Sequence, residues 1–180
     1  MKKLLPALAA VLAVATTAAG CGSGNGAGGH DLSASEQKVA DTMSHYLAKN
    51  GNGSVSKHDA QCISEHWVQS SGVAKLKKSK VLTANGQVNT GSDTKITPSL
   101  ANDYADALLG CINYPKMQAQ AVAKVNPKID ASKMAACFAK AMPKAQEKKL
   151  LVSTMTGNPD QQLTQQNAQA IQTCQAKAQK

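Results

Sequence analysis

The chain has 180 residues, enough for one domain or two small ones. It contains only five aromatic residues, so its core must be built from Ala, Val, Leu, Ile and Met, and its Ala-, Gln- and Lys-rich composition favours helix. All 20 basic residues are lysine, and the formal net charge is +9. Because arginine supplies the planar fork that grips phosphate at two points, its absence from an aromatic-poor chain argues against nucleic acid as a partner.

Residues 1–20 have the three parts of a bacterial export signal. Lys2 and Lys3 are positively charged, residues 4–15 are apolar apart from Pro6, and residues 16–20 are small. The apolar stretch is too short and wrongly flanked for a stable membrane span. The sequence therefore predicts export, and removal of this signal would lower the net charge from +9 to +7.

Residues 18–21, Ala-Ala-Gly-Cys, resemble the bacterial lipobox, in which the cysteine becomes the lipidated first residue. The resemblance implies a lipid on Cys21 that holds the protein at the extracytoplasmic face of the cell membrane. The chain has five cysteines, so one is left over after two disulfides, and residues 21–32 form a Gly-rich tether that suits an anchored domain. Ala18 stands where the lipobox usually has Leu, so ordinary cleavage and secretion of a free protein is the alternative.

From residue 33 onward the pattern predicts an all-α domain of five to seven helices. Ser33 and Glu36 form a capping box that opens the first helix, which ends at residues 50–53. A second capping box at Ser56 opens a helix whose inner face carries Cys62, Ile63 and Trp67. A short helix over residues 73–82 and a polar loop over residues 83–96 follow.

The second half of the domain continues with helices that carry the remaining cysteines. Thr97 and Pro98 open the clearest amphipathic helix, which reaches Cys111. Pro115 opens the next helix. Asp130 caps a helix that contains Cys137 and is bent or ended by Pro143, and the last helix contains Cys174.

Two stretches of the domain look alike, and we interpret them as repeated units over about residues 55–112 and 129–175. Each unit has a capped helix bearing one cysteine and a later helix ending on another. Four cysteines allow three pairings, of which the repeat favours Cys62–Cys111 and Cys137–Cys174. Outside the reducing cytoplasm such pairs oxidise, and each bond would contribute roughly 3–4 kcal/mol by loop closure.

The first unit also resembles a unit found in exported actinobacterial lipoproteins whose activity is not characterised. The matching residues are Ala60-Gln61-Cys62, the Gly-Val-x-x-Leu step at residues 72–76, and Cys111, while the second unit matches only at its cysteines. The resemblance covers about residues 55–175. It implies a disulfide-stapled helical domain and brings no known reaction.

The sequence contains few motifs that indicate a metal-binding or catalytic site. His58, Cys62 and His66 stand on one helical stripe, but the outer two lie about 12 Å apart along the helix axis, so one ion cannot bind all three. His58 and His66 are weak candidates, and we predict no metal site and no cofactor. We find no nucleophile elbow, phosphate loop or paired carboxylates, so we expect no enzymatic activity.

The function that the sequence favours is a noncatalytic cell-envelope lipoprotein that binds either a protein or an anionic surface polymer. The anchor, the tether, the stapled helices and the lysine excess motivate this hypothesis. The first alternative is a small-ligand carrier with an apolar pocket between its helices. The second is an enzyme of unknown class, which would need a cleft with convergent titratable groups.

Overall fold

The computed structural model describes residues 32–51, 55–91 and 94–179. Within these residues the chain forms eight helices and no strand, so the predicted all-α class is confirmed. The helices are α1 (Ala34–Asn50), α2 (Lys57–Ser71), α3 (Val73–Lys78), α4 (Pro98–Cys111), α5 (Tyr114–Val125), α6 (Ala131–Ala141), α7 (Lys144–Met155) and α8 (Gln161–Lys177). This is one helix more than expected, because Pro143 separates α6 from α7. The predicted signal peptide and Cys21 lie outside the described residues.

The helices begin where the sequence places capping residues. Ser33 Oγ accepts a hydrogen bond from the backbone N–H of Glu36, whose carboxylate accepts one from the Ser33 N–H at 2.9 Å. Ser56, Thr97 and Asp130 accept hydrogen bonds from first-turn N–H groups in α2, α4 and α6. Since the first four N–H groups of a helix have no partner within it, these side chains fix the helix starts locally.

The chain divides into two compact units between Lys95 and Ile96. Unit 1 therefore contains α1 to α3, and unit 2 contains α4 to α8. The repeat units predicted over about residues 55–112 and 129–175 were drawn from the cysteine positions, and they stay a prediction. Within unit 2 the apolar face of α4 lies against α7.

Unit 1 is built on the pairing of α1 with α2. The side chains that meet between them are apolar and are at most 8% exposed: Val39, Ala40, Met43, Leu47, Ala60, Ile63, Trp67 and Val68. Beside this core, two glutamine amides join two carboxylates across the helix pair. Gln61 donates to Glu65 at 2.6 Å and to Asp41 at 3.0 Å, and Gln37 donates to the same two carboxylates at 3.0 Å.

After α3 the chain folds back on itself in the last part of unit 1. Leu82 and Val88 form an isolated antiparallel bridge, and the backbone between them turns at Gly86, whose φ is +79°. A Cβ at Gly86 would lie 3.5 Å from the Val39 side chain, so the turn sits close against α1. Residues 83–91 of the predicted polar loop thus have a defined path, which brings residues 85–87 beside the start of α1.

The main helix pairings of unit 2 are α4 with α7, α5 with α6, and α6 with α8, and α7 also contacts α8. The disulfide Cys137–Cys174 joins α6 to α8, with the two Cα atoms 5.5 Å apart. The Asp130 N–H donates to the Ala178 carbonyl at 2.8 Å, which ties the start of α6 to the end of α8. The core contains the fully buried side chains of Leu100, Met134, Phe138, Met142 and Cys174.

Candidate functional site

The structure describes four of the five cysteines for which the sequence predicts a role. Cys137 and Cys174 are bonded to each other, with an S–S distance of 2.01 Å. Cys62 and Cys111 are also disulfide-bonded, and they belong to unit 1 and unit 2 respectively. Their pairing with each other stays a prediction of the repeat. Cys21, the predicted lipidation site, lies outside the described residues.

The two histidines considered as weak metal ligands occupy different environments on α2. The His58 side chain is 90% exposed, and its Nδ1 lies 3.7 Å from the Asp59 carboxylate. His66 is half-buried. Since Cys62 is disulfide-bonded, it cannot provide the thiolate that a pairing with His58 would require. Among the described residues, His58 belongs to no group of three potential metal ligands.

Four lysines cluster at the end of α3. This lysine cluster consists of Lys75, Lys77, Lys78 and Lys80, and the chain has no carboxylate between Glu65 and Asp93. Basic residues complement the negative end of a helix, which explains lysines in the last turn of α3. That effect does not require Lys80, which lies beyond the helix with a positive φ of 56°. The four lysines therefore give this part of unit 1 an excess of positive charge.

An open groove of about 550 Å³ lies beside the lysine cluster. One wall is the first half of α1, the other is the start of α3, and the turn at residues 85–87 closes one side. The lining combines polar side chains with a larger share of apolar surface, and its residues are Ser33, Ser35, Glu36, Lys38, Val39, Thr42, Gly72, Val73, Ala74, Lys77, Asn85, Gly86 and Gln87. We call it the α1–α3 groove. Its shape depends on the bridged turn, because that turn brings residues 85–87 next to α1.

The polar groups of the α1–α3 groove include four available donors. Within the described residues, no hydrogen bond or ion pair involves the ammonium groups of Lys38 and Lys77 or the side-chain amides of Asn85 and Gln87. The one carboxylate, Glu36, is already engaged, since Ser33 Oγ donates to it at 2.7 Å and holds the Glu36 pKa below its usual value. The groove thus carries two ammonium groups, two amide donors and one carboxylate, which its lowered pKa keeps ionised.

A second groove of about 320 Å³ lies between α5 and α6 in unit 2. Its α6 wall consists of four alanines and Ser132, and its other wall carries Asn113, Lys116 and Gln120. The Asn113 side chain is used as the cap of α5, because its Oδ1 accepts from the Lys116 N–H at 3.0 Å. This groove is smaller, and it presents only one lysine.

Glu147 is a buried carboxyl group in unit 2 that the sequence does not single out. Its side chain is 3% exposed, and Oε1 has no hydrogen-bond partner among the described residues. Burial raises the pKa of Glu147 to about 7, while the positive charge of Lys144 acts in the opposite direction. Burial, and to a smaller extent the charge of Glu147, raises the pKa of the nearby Tyr114.

Sequence reasoning missed both the α1–α3 groove and Glu147. The sequence does indicate the turn that closes one side of the groove, because Asn85-Gly86 is a typical turn dipeptide and stands between the apolar residues Leu82 and Val88. No feature of the sequence indicates that Glu147 is buried, since it stands among lysines in a segment that looks solvent-exposed.

Comparison with known proteins gives no information on the function of this chain. No protein-family model, curated protein or solved structure matches this chain. Within the part of the chain that the structure describes, none of the helices has the length and apolar character needed to cross a membrane.

Proposed function

We propose that this protein is a noncatalytic lipoprotein of the cell envelope that binds an anionic surface polymer. The observation that carries the proposal is the lysine cluster of Lys75, Lys77, Lys78 and Lys80. These side chains are half-buried or exposed, and they lie in a stretch of sequence without carboxylates. Such a surface attracts a polyanion through several weak contacts, each of which is screened by salt.

We favour a polymer over a protein as the partner because the basic residues are all lysine. Lysine presents a hydrated point charge and lacks the planar fork with which arginine grips one group in a fixed geometry. Several adjacent lysines suit a partner that repeats its charge along a chain. A specific protein interface would more often be centred on exposed aromatic side chains or arginine. Among the described residues, the one large apolar side chain that is strongly exposed is Val125.

The sequence of residues 1–32 supports the proposed location. A lipid on Cys21 would hold the domain at the outer face of the membrane, and a Gly-rich tether of this length would span roughly 20 Å. The disulfides support an oxidising compartment, because such bonds do not persist in the cytoplasm of most cells. Mass spectrometry of the mature protein tests the anchor: an acylated Cys21 at the N-terminus supports it, and an unmodified N-terminus after Ala15 contradicts it.

Neutralising part of the lysine cluster tests the binding function. We choose Lys77→Gln with Lys78→Gln, because neither side chain has a partner among the described residues. The matched control is Lys140→Gln with Lys149→Gln, which removes the same charge from exposed positions of unit 2. The probe is a poly(glycerol phosphate) chain, titrated into the mature protein at about 20 mM salt, where screening is weak.

We expect the Lys77 and Lys78 variant to bind the polymer about tenfold more weakly and the control to change by less than about twofold. Equal losses in both variants would mean that net charge alone attracts the polymer. The lysine cluster would then have no special role. Absence of binding by the unaltered protein at low salt would overturn the proposed function.

A further inference from the structure

We propose that the α1–α3 groove is the site where one segment of the polymer is held, and that its ligand is a polyol phosphate chain. This inference rests on the proposed function and adds to it a defined subsite and a chemical class. The groove and the lysine cluster share Lys77, so a chain attracted by the cluster can continue into the groove. Lys77 therefore belongs to both features of unit 1.

The donors in the groove indicate a ligand that combines negative charge with hydroxyl groups. Lys38 and Lys77 supply two ammonium groups, and lysine is a common binder of phosphate as a point charge. The amides of Asn85 and Gln87 can both donate to and accept from hydroxyl groups. Ser35 and Thr42 add hydroxyls to the wall formed by α1. A polyol phosphate matches this set, since each of its repeats carries one phosphate and free or substituted hydroxyls.

The size and openness of the groove fit a chain better than a small enclosed ligand. A volume of about 550 Å³ falls within the range of ligand sites in proteins. The groove is partly open to solvent, so its occupant need not be fully enclosed. Apolar atoms make up the larger part of the exposed lining, and they can contact the carbon backbone of such a chain.

The α1–α3 groove can be blocked without changing any charge. Ala74 is exposed, lines the groove and lies in the first turn of α3, so Ala74→Phe would fill the space while leaving all four lysines in place. The control is Ala145→Phe, which adds the same ring to an exposed position in the first turn of α7. The mature protein is titrated with poly(glycerol phosphate) oligomers by calorimetry and followed by the backbone amide resonances of Gly72, Gly86 and Gln87.

We expect the oligomer to shift these three amide resonances, and Ala74→Phe to lower the affinity at least fivefold while Ala145→Phe has no effect. Unchanged affinity in Ala74→Phe, together with a loss in the Lys77 and Lys78 variant, would overturn the groove as a site and leave the proposed function standing. Loss of all binding in the unaltered protein would overturn both.

Two further probes distinguish a polyol phosphate chain from other anionic ligands. Oligogalacturonate carries carboxylates in place of phosphates, and vesicles of phosphatidylglycerol carry phosphate on a lipid surface. We expect each to shift the groove amides at least fivefold less than the polyol phosphate does at equal charge concentration. A stronger response to oligogalacturonate or to vesicles would overturn the assignment of a polyol phosphate chain.

Discussion

Lys148 in α7 donates a hydrogen bond from Nζ to Oδ2 of Asp106 in α4 at 2.7 Å, joining the two helices across the surface of unit 2. The Lys148 side chain is 33% exposed and that of Asp106 is 63% exposed. Ion pairs in such positions contribute little, because water and salt screen both charges. A double-mutant cycle with Lys148→Ala and Asp106→Ala should give a coupling energy of about 0.5 kcal/mol in chemical denaturation. A coupling above about 2 kcal/mol would show that the pair is protected from solvent.

Glu147, the neighbour of that lysine, should make unit 2 less stable as the pH rises. Its pKa in the folded protein is about 7, above the ordinary value of 4.5. The stabilisation from the protonated carboxyl is therefore complete below about pH 4.5 and is lost as the pH rises through 7. The shift corresponds to at most about 3 kcal/mol, and screening beside Lys144 reduces this figure.

Replacing Glu147 with glutamine tests this effect. Glu147→Gln keeps the size of the side chain and removes its ionisation, so the loss of stability between pH 5 and pH 8 should become smaller. The measurement is the free energy of unfolding in urea at both pH values, with Asp160→Asn as a control at an exposed carboxyl. An unchanged pH dependence in Glu147→Gln would show that Glu147 is hydrated and ionised in the folded protein.

The disulfide between α6 and α8 should be a major source of stability for unit 2. Cys137 and Cys174 are 37 residues apart, and closing a loop of that length contributes about 4 kcal/mol by the chain-entropy relation. Cys137→Ala with Cys174→Ala removes the bond without burying a hydroxyl. We expect faster amide hydrogen exchange throughout α8 and a free energy of unfolding lower by about 3–4 kcal/mol. A loss below about 1 kcal/mol would mean that helix packing alone holds α8.

Two glycines offer a matched pair of alanine substitutions with opposite expected signs. Gly72 has φ +73° and ψ 143°, a region that residues with a Cβ rarely adopt, so Gly72→Ala should destabilise unit 1 by about 1–3 kcal/mol. Gly110 lies inside α4 with open space at its Cβ position, so Gly110→Ala should stabilise by about 0.5–1 kcal/mol. Thermal unfolding of both variants checks the signs, and equal effects would contradict the backbone argument.

The local features of the fold could be predicted from the sequence because they depend on neighbouring residues. Ser33 caps α1, and Thr97 with Pro98 opens α4, since capping involves groups within one turn. The unit boundary could not be predicted in this way. It depends on the packing of α4 against α7, between residues about 40 positions apart.

The candidate site was not predicted from the sequence, and most of it could not be, for the same reason. The lysines at positions 75, 77, 78 and 80 are visible as a run of charge in the sequence. The α1–α3 groove requires the turn at Gly86 to lie against Val39, a contact between distant parts of unit 1. The burial of Glu147 likewise depends on which helices cover it, and a carboxyl among lysines gives no sign of this.

The salt dependence of polymer binding tests the central claim most directly. The dissociation constant of the native mature protein for poly(glycerol phosphate) should be measured between about 20 and 200 mM salt, a range over which screening changes strongly. If four lysines each displace a counterion, the logarithm of the binding constant should fall against the logarithm of salt concentration with a slope of about −3. No measurable binding at the lowest salt, or binding with a slope near zero, would contradict the claim that this protein holds an anionic polymer through its lysine cluster.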